Sequence, residues 1–107
     1  MATFLVVGGS SGIGLQVTNQ LAVAGHTVHA TYNTHTIASS GNIHYHNINV
    51  LDESINVDFL PASIEGIVYC PGAISLRPFN RIASEDFIKD YNLQVVGAVK
   101  IIQAALP

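Results

Sequence analysis

The chain has 107 residues, with four Lys or Arg, seven Asp or Glu and five His, giving a formal net charge of −3. Hydrophobic residues make up 49% and charged residues 10%, where a typical soluble domain carries about 25% charged residues; mean hydropathy is +0.38. This balance fits one domain, excludes intrinsic disorder, which needs low hydrophobicity and high net charge, and excludes a nucleic-acid binder that relies on a basic patch.

The first apolar run, Phe4-Leu5-Val6-Val7, stops at Gly8-Gly9. No Lys or Arg precedes it, so it is not a signal peptide, and no window holds the roughly 18 consecutive apolar residues of a membrane span. A short continuous apolar run that ends at glycines suits a strand buried on both faces of a parallel sheet. A helix is expected from Gly12 to Ala24, with Ile13, Val17, Leu21 and Ala24 on one stripe and Gly25 as its stop. Thr27 to Tyr32, rich in β-formers, reads as the second strand and Ile43 to Ile48 as the third. Ten residues, Asn33 to Asn42, join them; a parallel crossover needs about a dozen, so a helix there would be vestigial. Asn49 to Glu65 leaves room for one or two helical turns near Leu60 to Ile64. Gly66 to Cys70 reads as the fourth strand, stopped by Pro71-Gly72. Ser84 can cap a long last helix whose first turn holds Glu85 and Asp86. Along it Phe87, Ile88, Tyr91, Val95, Val99, Ile102 and Leu106 recur three or four apart, a stripe expected to be mostly core against the sheet. Alternating strands and helices in one uninterrupted unit, residues 1–107, predict an α/β fold with a parallel sheet.

Between the first strand and the first helix stands Val7-Gly8-Gly9-Ser10-Ser11-Gly12-Ile13-Gly14. Physically this is a phosphate cradle. Gly8 permits a tight turn with unusual φ, Gly12 lets the backbone approach a pyrophosphate, and Gly14 lets the helix pack close to the sheet. Backbone N–H groups and the helix dipole then favour an anion. The alternative is a glycine-rich structural turn. The strand before the motif and the amphipathic helix after it favour dinucleotide binding.

Here the sequence resembles the short-chain dehydrogenase/reductase family. That family's Thr-Gly-x-x-x-Gly-Ile-Gly is matched by Gly8, Gly12, Ile13 and Gly14, with Ser10 and Ser11 typical fillers and Val7 in place of the threonine. Asn49-Val50-Leu51-Asp52 looks like the family's Asp-Val-x-Asp, with Asn49 where an acid meets the adenine amine. Cys70-Pro71-Gly72-Ala73 stands where the family has Asn-Asn-Ala-Gly; Gly72 is kept, at the turn that lines the nicotinamide ribose. The stretch Gly97 to Pro107 resembles the family's fourth helix, which places the family's catalytic asparagine at Gln94, two residues from Asn92. The resemblance implies a Rossmann-like three-layer sheet, truncated to four strands in the order 3-2-1-4. It also implies an NAD(P) cofactor held by Gly8, Ser10, Ser11, Gly12, Ile13, Gly14, Tyr32, Asn33, Asn49, Val50 and Gly72.

Cofactor choice turns on the end of the second strand. NAD enzymes of this type place an acid there to bind both ribose hydroxyls. This chain has Tyr32 and Asn33, and no acid between Gly14 and Asp52 repels a 2′-phosphate, although no Lys or Arg is there to grip one. The reading leans to NADP, with NAD as the alternative.

The family's catalytic Tyr-x-x-x-Lys is absent. Four residues beyond Tyr32, Tyr45, Tyr69 and Tyr91 stand Thr36, Asn49, Ala73 and Val95. The expectation is therefore the first half of a short-chain oxidoreductase, with the serine and Tyr-x-x-x-Lys half missing and the chain alone inactive in carbonyl/alcohol hydride transfer. The alternative is a non-catalytic dinucleotide-binding or assembly module. Strand four, normally covered by a fifth strand, would be an apolar edge from Ile67 to Cys70; association with another copy through it and through the last helix is expected. His44-x-His46 puts two imidazoles on one strand face, but no third ligand stands at an obvious spacing, so no metal site is expected. Cys70 reads as a buried structural cysteine, Arg77 and Arg81 as solvated side chains or phosphate contacts. A single cysteine excludes an internal disulfide and fits the cytoplasm.

Overall fold

The computed structural model describes residues 2–10, 12–33, 37, 39, 41–52, 55–61, 63–70 and 79–106. Four strands, β1 (Thr3–Val7), β2 (Thr27–Tyr32), β3 (Ile43–Asn47) and β4 (Gly66–Tyr69), form one sheet in the order β3-β2-β1-β4. All three pairings are parallel, with Leu5 opposite His29 and Ile67, and Ala30 opposite Tyr45. The Rossmann-like order expected from the sequence is the order found.

Side chains alternate across a strand, and this divides the core in two. Val6, Val28 and Ala30 are buried on one face, with Val17 and Leu21 of helix α1 (Gly12–Val23) packed against them. Leu5, Val7, Val50 and Ile101 are buried on the other. Each fully buried aliphatic side chain contributes about 1.5–3 kcal/mol, so the central strand β1, with Leu5, Val6 and Val7 all fully buried, contributes to both layers at once. Gly25, at φ 92°, ends α1 as expected. The stripe expected on α1 holds only at Val17 and Leu21. Ile13 and Ala24 are exposed, and the residues α1 buries fully are Gly14 and Thr18, because the helix start lies against the glycine turn rather than the sheet.

The last helix departs from its expected phase. It consists of α2 (Ser84–Tyr91), a π-helical turn (Asn92–Val96) and α3 (Gly97–Ala105). Phe87, Ile88, Tyr91, Val95, Val99, Ile102 and Leu106 are all exposed, and the sheet is covered instead by Leu93, Gly97, Ile101 and Ala105. Two physical reasons account for this. The π turn, in which Gly97 N–H donates to the Asn92 carbonyl, adds a residue to one turn and breaks the 3.6 period read across it. The row through Gly97 also lets the helix come closest, since a Cβ there would meet the Tyr69 hydroxyl and lie 3.1 Å from Val50.

Smaller differences have local causes. Among the described residues from Leu60 to Ile64 no helix is found; Leu60 N–H closes a single turn on the Val57 carbonyl at 3.0 Å, and Pro61 cannot donate the next bond. Phe59, Leu60 and Ile64 still pack on the core. Ala83, not Ser84, is the N-cap residue, and Asp86 reaches back to accept from its N–H at 3.1 Å, one half of a capping box. Cys70 is half-buried and Arg81 exposed; Arg77 lies outside the described residues.

The two histidines of β3 meet a third. His29 of β2 stacks on His44 and His46 with ring centroids 5.2 and 5.4 Å away, and its Nδ1 lies 3.2 Å from His46 Nε2. Phe59 covers His46 at 3.7 Å. Among the described residues no group of three His, Cys, Asp or Glu is arranged to hold a metal ion. Burial first, then the neighbouring imidazoles, push His29 below the usual histidine range, and burial followed by His44 does the same for His46. A folded-state pKa below the unfolded one means the unfolded chain binds more protons as pH falls. Stability from these groups is complete above the unfolded histidine pKa, about 6.5, and is lost as pH drops below it. The thermal midpoint is expected to fall between pH 7.5 and 5.5, and His29→Asn to flatten that dependence. An unchanged slope in the variant would contradict the assignment.

Candidate functional site

The glycine motif forms the turn between β1 and α1. Gly8 has φ 81° and Gly12 φ 56°, backbone that L residues adopt only at about 1–2 kcal/mol. The turn folds back over β2. Gly8 N–H donates to Thr31 Oγ1 and Gly9 N–H to the Thr31 carbonyl, both at 3.0 Å. The Tyr45 hydroxyl of β3 donates to the Gly9 carbonyl at 2.8 Å. Burial raises the Tyr45 pKa, so the phenol stays protonated as a donor. Inside α1, Thr18 Oγ1 donates to the Gly14 carbonyl at 2.8 Å.

Steric room explains the glycines. A Cβ on Gly9 would stand 2.8 Å from both Ala30 Cβ and Thr18 Oγ1, and one on Gly14 would strike the Gly8 carbonyl. Gly14 therefore serves contact between helix and turn, where the sequence suggested contact with the sheet. A Cβ on Gly12 would meet no atom of the described residues within 4 Å; its position is set by φ. Ile13 beside it is 77% exposed. The first turn of α1 carries no acidic side chain, so nothing there competes for the positive end of the helix dipole. With the Gly8 and Gly9 N–H groups donated to Thr31, an anion here would be favoured by the start of α1 itself.

The remaining expected residues stand as follows. Ser10 is buried; Ser11 and Gly72 lie outside the described residues. Tyr32 is half-buried at the end of β2 and Asn33, next to it, is exposed, its carbonyl accepting from Asn47 Nδ2 at 3.1 Å. Asn49 Oδ1 accepts from Leu51 N–H at 3.0 Å in a local turn, which leaves one lone pair of that oxygen for another donor. Val50 is 6% exposed and its side chain belongs to the core. Gln94 is exposed in the π turn, next to Leu93, whose carbonyl accepts from the Tyr69 hydroxyl. Thr31, which the sequence offered only as a neutral hydrogen-bond group for the cofactor, instead accepts from the Gly8 N–H, and Tyr45 was not singled out for this site; contacts 23 and 36 residues apart leave no local pattern. Gly9 stands in the motif with no role that its spacing assigns.

A family profile described as the NAD dependent epimerase/dehydratase family matches residues 4–106. The chain belongs to that family. No curated protein matches the chain in sequence. Among solved structures, a short-chain type dehydrogenase/reductase from Mycobacterium ulcerans is 23% identical at TM-score 0.75, with 97% of this chain covering 45% of that one. A short-chain dehydrogenase from Leptospira borgpetersenii, solved with bound NAD+, is 16% identical at TM-score 0.77, covering 97% of this chain and 44% of that one. A short-chain dehydrogenase from Shigella flexneri is 15% identical at TM-score 0.79, covering 99% and 55%. At these identities the likeness is one of fold. The chain spans about half the length of these structures.

For this epimerase/dehydratase family member the glycines should differ in their tolerance. Gly14→Ala places a methyl on rigid backbone and is expected to destabilise by about 3 kcal/mol. Gly12→Ala has only its φ to overcome and is expected to cost about 1–2 kcal/mol. Urea unfolding of both variants checks the order, and Gly12→Ala as the more damaging one would contradict the steric account.

Proposed function

We propose that this chain is the NAD(P)-binding part of a short-chain oxidoreductase that transfers a hydride between carbonyl and alcohol carbons. The observation that carries the reading is the glycine turn itself: positive φ at Gly8 and Gly12, no described atom within 4 Å of a Cβ on Gly12, and an acid-free helix start at the C-terminal end of the central strand. In this reading the backbone from Gly8 to Gly14, with Ser10, Ser11 and Ile13, holds the pyrophosphate and the adjoining ribose. Tyr32 and Asn33 face that ribose. Asn49 and the Val50 backbone border the adenine, and Gly72 the nicotinamide ribose. The residues fit the group because the turn leads into a helix start that carries no carboxylate. When bound, the nicotinamide ring supplies the hydride acceptor or donor; the chain binds and orients it. With no acid between Gly14 and Asp52, NADP is favoured over NAD.

Gln94 takes the position of the family's catalytic asparagine. None of the four tyrosines is followed by lysine at the fourth position, so the proton-transfer pair and the serine belong to a half that this chain does not contain. The same observation supports a second reading, a non-catalytic dinucleotide-binding or assembly module. Self-association through the β4 edge, Ile67 to Cys70, and the exposed row of α2 and α3 is part of the proposal, as is a cytoplasmic setting. No helix among the described residues is long and apolar enough to cross a membrane.

Calorimetric titration of the chain with NADPH and NADH tests the reading. Saturable binding is expected, tighter for NADPH, without ketone reduction by the chain alone. No heat with either dinucleotide would contradict cofactor binding, and ketone turnover at the rate of an intact enzyme would contradict the assignment of the missing half.

A further inference from the structure

We propose that Tyr45 is a positioning residue of the dinucleotide site, acting through its hydroxyl on the Gly9–Ser10 peptide; this rests on the dinucleotide reading above. Glycine has the widest backbone freedom of any residue, and Gly9 sits in the middle of the turn that would carry the phosphates. Its two flanking peptides are each held by one bond from the sheet. Gly9 N–H donates to the Thr31 carbonyl at 3.0 Å, which orients the Gly8–Gly9 peptide. The Gly9 carbonyl accepts from the Tyr45 hydroxyl at 2.8 Å, which orients the Gly9–Ser10 peptide. That peptide is trans, as no cis bond occurs among the described residues, so its N–H and C=O point in opposite directions. Holding the Gly9 carbonyl toward β3 therefore aims the Ser10 N–H away from β3.

The reach depends on three residues of matched size. Tyr45 pairs in register with Ala30. Ala30 is also the residue on which Gly9 rests, with only 2.8 Å left for a Cβ. A small side chain on β2 and none on Gly9 let the turn drop onto the sheet, and a long phenol on the neighbouring strand spans the gap to its carbonyl. Phenylalanine would fill the same half-buried volume without the donor, so the hydroxyl and the ring are separable by experiment.

Tyr45→Phe is the test, in the chain described here, with the parent alongside. Circular dichroism should match the parent. Amide shift changes in a 15N–1H spectrum should centre on Gly8 to Gly14. Affinity for NADPH, and for NADH where the parent binds it, should fall about 3- to 10-fold, the range expected for one lost hydrogen bond. A merely structural hydroxyl would lower the melting midpoint and leave the affinity of the folded protein unchanged, and equal affinity in parent and variant would overturn the proposal while leaving the cofactor reading in place. A parent that binds neither dinucleotide would overturn both, and the two failures are told apart by the parent's own titration.

Discussion

The constraint on which the rest of the structure depends is the return of the chain over its own sheet directly after β1. The turn must pass so close to β2 that Gly9 rests on Ala30 and Gly14 on the carbonyl of Gly8. Side chains are excluded there by contact, and the backbone polar groups exposed by such a turn need partners. Thr31 supplies two of them and Tyr45 a third. Once the turn is held, α1 starts at Gly12 with its dipole directed at the space above the sheet, and Val17 and Leu21 fall on Val6, Val28 and Ala30. The anion-binding geometry and the packing of that layer thus follow from one close approach.

The opposite layer obeys a similar logic with different residues. Gly97 lets the last helix settle on Val50 and Tyr69, and the π turn before it leaves the Leu93 carbonyl facing the Tyr69 hydroxyl. Such turns store a local irregularity that recurs at functional sites, and Gln94 stands within this one. The consequence on the outer side is a row of exposed apolar residues from Phe87 to Leu106. Ile13 and Val23 of α1, 77% and 88% exposed, add apolar surface elsewhere, whereas Ile67, Val68 and Tyr69 of β4 are half-buried.

What was legible in the sequence was what depends on short-range pattern. The run Phe4 to Val7, the glycine spacing and the β-rich stretches placed four strands, and the family resemblance ordered them. The last helix was legible as a helix and misread in phase, because its later part is apolar on two sides, Val95, Val99 and Ile102 as well as Leu93, Ile101 and Ala105, and nothing in the spacing announces a π turn. The pair His44 and His46 was visible, but His29, which joins them across the β2–β3 pairing, becomes their neighbour only through register. The same holds for Tyr45. A residue that bonds to a carbonyl 36 positions away carries no sign of it in its own neighbourhood.

The measurement that tests the central claim most directly is an amide-resolved titration of the 15N-labelled chain with NADPH. Saturable shifts are expected, largest at the backbone amides of Gly8 to Gly14 and extending to Tyr32, Asn33 and Asn49. A spectrum that stays unchanged, or shifts confined to the exposed row of the last helix, would contradict that claim.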